Sequence, residues 1–254
     1  MPTLSVCIEA FWGKDPLEQR IRKTASLGFK AFEFWGWRGK DLDAIRKAKE
    51  ETGLQLATFC MESEKPLVDP TGGDALIAGL KESISVAKSL GCDCLLLTTG
   101  NARADERFEV TWRTAVRHLK RMAPILEEQG VTLVIEPLNP IVDHIGYWLT
   151  RMSDAADLCR EVNSPQVKIL MDFYHQQITE GNLIANLRQY APLIGHFHCG
   201  GVPGRHELTG CEIDYRSVFK AIDETGYRRY AGLEFWPTGD TEQALRQALD
   251  LAGA

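Results

Sequence analysis

The chain has no CxxC pair, and its seven cysteines, at positions 7, 60, 92, 94, 159, 199 and 211, form an odd set. Five of them lie in or beside apolar runs such as "CDCLLL", which reads as reduced thiols packed as small hydrophobes rather than a disulfide framework. Positive charge is also short. With 29 Lys and Arg against 35 Asp and Glu the formal net charge is -6, which disfavours a surface built to neutralise nucleic-acid phosphates. No apolar run is long enough to span a bilayer. The opening "MPTLSVCIEAFW" has no basic leader and soon turns charged at "GKDPLEQRIRK", so no signal peptide is expected. A soluble cytoplasmic protein follows, with a small molecule as its partner and neither nucleic acid nor membrane. Proline-rich linkers, charge runs and low-complexity blocks that would mark a second domain are missing as well.

What the chain does have is a repeated architecture. Its 254 residues, 44% hydrophobic and 25% charged, suit one domain with a sizeable core. The first helix carries Asp15 as a cap, Pro16 in the first turn, apolar Leu17, Ile21 and Ala25, and Gly28 as the stop. A helix ending in glycine and running straight into a strand recurs at Gly53, Gly91, Gly130 and Gly226. Strands are expected at about Leu4 to Glu9, Lys30 to Phe34, Leu54 to Cys60, Asp93 to Thr98, Val131 to Glu136, Gln166 to Met171, Leu193 to His198 and Tyr230 to Glu234. Each is followed by a helical stretch. Eight βα units argue for a closed (β/α)8 TIM barrel spanning residues 1–254 as a single domain. A doubly wound sheet would predict a glycine-rich phosphate loop after the first strand, and "IEAFWGKDP" is not one.

In such barrels chemistry sits where strands end. Strands five to eight end at Glu136, Asp172, His198 and Glu234. Singly, each reads as a cap or a solvated group. Together, three carboxylates in one concave mouth repel each other unless something positive lies between them. None of the four strand ends has a basic sequence neighbour, which favours a divalent metal ion over a Lys or Arg partner. Oxygen donors with one nitrogen suit Mn or Mg, with Co or Zn as further fits. His175 falls on the loop just past Asp172, within reach of a substrate oxygen.

The motifs "VIEPLNP", "MDFYHQQ", "GHFH" with "PGRHELTGCEIDY", and "LEFWP" resemble the xylose isomerase-like barrel superfamily, most closely its hydroxypyruvate isomerase group. The likeness is dense from Val131 to Pro237. It implies that Glu136, Asp172, His198 and Glu234 hold the metal, that Glu136 and Glu234 also carry protons, and that His175 and Arg205 contact the substrate. It also implies that a homo-oligomer is possible. Two features depart from the group, which usually has Gln at the position of His198 and Pro and Gly at those of Leu208 and Cys211. Ketose 3-epimerases have the histidine.

A divalent ion on a carbonyl and its neighbouring hydroxyl would acidify the adjacent C–H, pointing to enediolate chemistry. The expected reaction is therefore isomerisation of an aldose and ketose pair, with hydroxypyruvate and tartronate semialdehyde or a longer 2-oxo sugar acid as substrates. Alternatives are a ketose 3-epimerase, a keto-polyol dehydratase and a non-catalytic metal-binding barrel. Arg205 has a second reading, as a surface residue paired with Glu207. Glu33 and His196 read as structural, His196 lying deeper in the barrel on the same side as His198. Glu9, Trp12, Trp35 and Trp37 lie on the first two βα loops, where the tryptophans could wall a sugar pocket, or "EFWGW" could equally form core edge or a subunit contact.

Overall fold

The computed structural model describes residues 1–253. Eight parallel strands, β1 (Thr3–Cys7), β2 (Ala31–Gly36), β3 (Gln55–Cys60), β4 (Cys94–Leu97), β5 (Thr132–Ile135), β6 (Val167–Asp172), β7 (Ile194–Cys199) and β8 (Tyr230–Leu233), close into one barrel in sequence order. The seam is the β1–β8 ladder, which pairs Thr3 with Tyr230 and Val6 with Leu233. The outer ring comprises α1 (Leu17–Ser26), α2 (Leu42–Thr52), α3 (Gly73–Leu90), α4 (Phe108–Gln129), α5 (Met152–Val162), α6 (Phe173–Thr179), α7 (Leu183–Tyr190), α8 (Tyr215–Glu224) and α9 (Thr241–Leu251). The β6–β7 crossover carries two helices, α6 and α7, where a single stretch was expected.

The strands are apolar on both faces because both are covered. One face meets the helices. The other fills the barrel interior, where Cys94, Leu96, Val134 and Leu170 pack as a separate small cluster. On α8 the buried positions Tyr215, Val218, Phe219 and Ile222 follow helical spacing. Capping is supplied by Asp41, Asp214 and Asp240, whose carboxylates accept backbone N–H groups of the first turns of α2, α8 and α9.

The glycine stops hold. Gly53, Gly91 and Gly130 cap α2, α3 and α4 with φ of 72, 65 and 65°, in the left-handed region that a Cβ disfavours. Asn163 does the same for α5 at φ 56°, a stop that a count of glycines overlooks. Asp15 does not cap α1. The helix begins after Pro16 with no side-chain cap, and the Asp15 carboxylate turns to Lys23 Nζ at 2.6 Å. Arg20 holds this loop instead, donating to the carbonyls of Ile8, Gly13 and Asp15.

All seven cysteines are free thiols. Among the described residues no helix is long and apolar enough to cross a membrane.

Candidate active site

Strands β5 and β8 stop one residue earlier than expected, at Ile135 and Leu233, so Glu136 and Glu234 stand just past the ladder at the mouth. Asp172 closes β6 and also caps α6. Its Oδ1 accepts from Tyr174 N at 2.8 Å, which turns Oδ2 toward the barrel axis. His198 is the penultimate residue of β7. The four side chains are buried, and one ligand atom from each lies within 4.8 Å of the others.

Arg205 enters this cluster. Its Nη2 lies 2.8 Å from Asp172 Oδ2 and 2.5 Å from Glu234 Oε2, and its Nε donates to the Glu234 carbonyl. No base neighbours the four strand ends in sequence, yet one joins them in space: Arg205, expected on the loop after β7 as a substrate contact, also pairs with two of the carboxylates. The alternative pairing of Arg205 with Glu207 also falls away, because Glu207 accepts from Thr238 N at 2.7 Å. Faces of Tyr174 and Trp236 cover the guanidinium at 5.1 and 5.5 Å.

One guanidinium against three carboxylates leaves the electrostatics unequal. Burial pushes Glu136 up to about 7, with Asp172 and Glu234 adding to the rise and His198 opposing it. Burial acts on Glu234 in the same direction but is outweighed by the Arg205 and His198 charges and by hydrogen bonds, so its carboxyl sits well below the usual range. One of those bonds comes from the Trp35 indole, Nε1 to Oε1, at 2.6 Å. Burial works against a charged His198, yet the Glu234 and Glu33 carboxylates raise it well above an ordinary imidazole.

The cluster fits a divalent cation. Glu136 Oε1 and both ring nitrogens of His198 are buried without a hydrogen-bond partner. His198 Nδ1 lies 3.0 Å from Glu234 Oε2 and 3.5 Å from Glu136 Oε1, close enough for strong charge interaction but not aligned as hydrogen bonds. Three carboxylates and an imidazole nitrogen converging on one point are a donor set for an oxygen-preferring metal.

Residues 21–252 match the family model of the xylose isomerase-like TIM barrel. The chain belongs to this family. A Danio rerio protein provisionally named a hydroxypyruvate isomerase is 33% identical, covering 96% of this chain and 94% of its own. The hydroxypyruvate isomerase of Escherichia coli strain K12 is 28% identical over 97% of this chain and 98% of its own. A 2-oxo-tetronate isomerase of Cupriavidus necator is 29% identical over 96% of each. Among solved structures, one described as an AP endonuclease, family 2, from Brucella melitensis superposes with a TM-score of 0.91 at 26% identity, covering 96% of this chain and 97% of that one. This xylose isomerase-like barrel is an isomerase.

Further residues support the cluster. Glu33 has the structural place expected of it, accepting from Ser5 Oγ and from His196 Nε2, each at 2.9 Å, with Oε1 lying 3.0 Å from His198 Nε2. Burial alone would raise its pKa, but the two imidazoles hold it at about 2. A carboxylate in this place holds the orientation of the His198 ring, which would present Nδ1 to a bound cation. Room for it exists only because position 232 is glycine, since a Cβ there would stand 2.1 Å from Glu33 Oε1.

His175 sits in the first turn of α6, not on a loop, with Nε2 3.6 Å from Asp172 Oδ2. Burial lowers its pKa to about 4. Of the three early tryptophans only Trp35 reaches the cluster. Trp37 turns outward to donate to Ser83 Oγ, and Trp12 packs on Phe11. Trp236, 6.3 Å from Trp35, takes the place expected of them. A groove of about 510 Å3 on the outer wall, lined by Lys81, Ile84, Lys88, Ile125 and Glu128, brings together no such cluster among the described residues, so chemistry rather than concavity locates the site.

Proposed function

We propose that this isomerase interconverts hydroxypyruvate and tartronate semialdehyde, or the corresponding pair of a longer 2-oxo sugar acid, using a divalent ion held by Glu136, Asp172, His198 and Glu234. The observation that carries the reading is the opposed environment of the two glutamates. Glu234 is kept ionised by Arg205 and Trp35, while Glu136 has an unpartnered oxygen and a pKa raised to about 7 by burial. Two carboxylates pushed apart in this way divide into a base and an acid. Glu234 takes the proton from the carbon beside the carbonyl, and Glu136 returns one to the neighbouring carbon. With hydroxypyruvate, a proton leaves C3, another arrives at C2, and the hydroxyl proton passes between the two oxygens.

A bound cation would supply Lewis-acid polarisation of the substrate carbonyl. Arg205 supports an oxo-acid substrate, because Nε and Nη2 are committed to Glu234 and Asp172 while Nη1 has no hydrogen bond among the described residues. That Nη1 can donate a charge-assisted hydrogen bond to one oxygen of a substrate carboxylate. The relatives named for hydroxypyruvate and 2-oxo-tetronate are consistent with this class. A C3 epimerase is the second reading, favoured by the histidine at position 198.

The test is NMR of the Mg-supplemented protein in heavy water with hydroxypyruvate, 2-oxo-tetronate, common ketoses and keto-polyols. Deuterium beside the carbonyl together with a new positional isomer is the expected result. Inversion at C3 would identify the epimerase, irreversible loss of water a lyase, and no exchange with any compound would sink the enediolate reading.

A further inference from the structure

Four residues past the end of β5, Asn139 is fully buried and folded back on the following turn. Its Oδ1 accepts from Val142 N at 2.9 Å and Asp143 N at 3.2 Å. Backbone N–H groups only donate, so this end of the amide is the oxygen and the other is the NH2 group. That NH2 group faces two atoms, Asp143 Oδ2 at 2.8 Å and His175 Nδ1 at 2.7 Å. The Asn139 backbone N–H also points at Nδ1, from 3.4 Å.

Every protein group facing His175 Nδ1 is therefore a donor, so Nδ1 has to be the acceptor. A proton on Nδ1, in the neutral ring or in an imidazolium, would meet the amide hydrogens head-on. The neutral ring then carries its hydrogen on Nε2, the nitrogen 3.6 Å from Asp172 Oδ2 that faces the mouth. The lock is braced from outside, because Tyr174 OH donates to the same Asp143 Oδ2 at 2.8 Å and holds the carboxylate that orients the amide.

We propose that Asn139 is a positioning residue that locks His175 as the Nε2–H tautomer, so that His175 serves the reaction only as a hydrogen-bond donor to a substrate oxygen and never as the base. The functional half of this statement rests on the reaction proposed above. The tautomer itself does not. Of the groups at the mouth, His175 is thereby assigned to the oxygen on which charge develops, leaving carbon-bound protons to the glutamates.

The experiment is long-range 1H–15N NMR of 15N-labelled, Mg-loaded protein without substrate, the His175 ring being assigned by its disappearance in His175→Gln. The expected spectrum shows a protonated Nε2 and a bare Nδ1 at neutral pH. Asn139→Asp presents an acceptor where a donor stood and should move the proton to Nδ1. Asn139→Ala should leave a mixture of tautomers, and its kcat should fall about 100-fold with little change in KM. A protonated Nδ1 in the wild type overturns the proposal whether or not any variant folds. So does an unchanged tautomer in both variants. Because the spectrum needs no turnover, failure of the substrate assignment leaves the tautomer result standing and is read separately in the exchange experiment.

Discussion

Arg205 does two things with one guanidinium: it bridges Asp172 and Glu234 through Nη2, and it leaves Nη1 without a hydrogen bond among the described residues. Lysine would keep the charge and lose the fork. Arg205→Lys should lower kcat/KM for an oxo-acid roughly 10 to 100-fold, the scale of one charge-assisted hydrogen bond, while a neutral ketose of equal length is affected much less. Steady-state kinetics on the matched pair checks this, and equal losses on both would remove Arg205 from carboxylate recognition. Glu136→Gln should fold and melt much like the parent, because Glu136 Oε1 has no hydrogen bond to lose and burial already disfavours its charged form, yet turnover should drop at least about 100-fold. Thermal unfolding alongside kinetics separates the two effects. At this scale the sequence was read well where a residue stands at a strand end and poorly where partners come from a distance. Glu136, Asp172, His198 and Glu234 meet in one cluster because β5 to β8 deliver them. Arg205 reads in the sequence as a substrate contact, but its pairing with Asp172, 33 residues away, is not legible there, and Asn139 looks like any polar loop residue until its turn is seen from inside.

Strand β8 shows how an element can be shaped by the side chain of another. Gly232 lies against the Glu33 carboxylate reaching over from β2, and no side chain at 232 fits without moving it. Gly232→Ala should destabilise the fold by about 1 to 3 kcal/mol, as overpacking does. Through the loosened His198 ring it should also weaken divalent-ion binding roughly 10 to 100-fold. Calorimetric titration with Mn2+ and thermal unfolding measure the two losses. An alanine variant that binds the ion like the parent would show that Glu33 does not orient His198. The strands themselves were legible because glycine after a helix is a backbone requirement written in one letter. Their ends shifted by a residue or two where ladder hydrogen bonds, which no letter records, ran out. Asp15 has the composition of a cap, but Lys23 competes for its carboxylate and wins. Asn163 stops α5 without the glycine signal.

For the molecule as a whole, ion binding and protonation are linked. His198, raised well above the ordinary imidazole range by the Glu234 and Glu33 carboxylates, holds a proton near neutral pH, whereas Glu136 keeps the one it returns to substrate. A cation would have to displace the imidazole proton. Affinity should therefore rise with pH through the neutral range, with proton release on binding. Calorimetry in buffers of different ionisation enthalpy counts those protons, and a pH-independent affinity would contradict the linkage. Saturating ion at about 1,000 times its Kd adds about 4 kcal/mol to stability, so Tm should climb on the order of 10 °C and fall back with chelator. The β1–β8 seam has a consequence of another kind. Residues Met1 to Leu4 line one groove with Leu249, Ala252 and Gly253 at the foot of the barrel, opposite the mouth. Nothing in a closed ring of eight parallel strands marks β1 as the necessary start. A gene rearranged to join these two segments through a short linker, and cut open at the exposed turn around Pro165, would encode the same ring from a new first residue, with Glu136, Asp172, His198 and Glu234 still meeting at the opposite end.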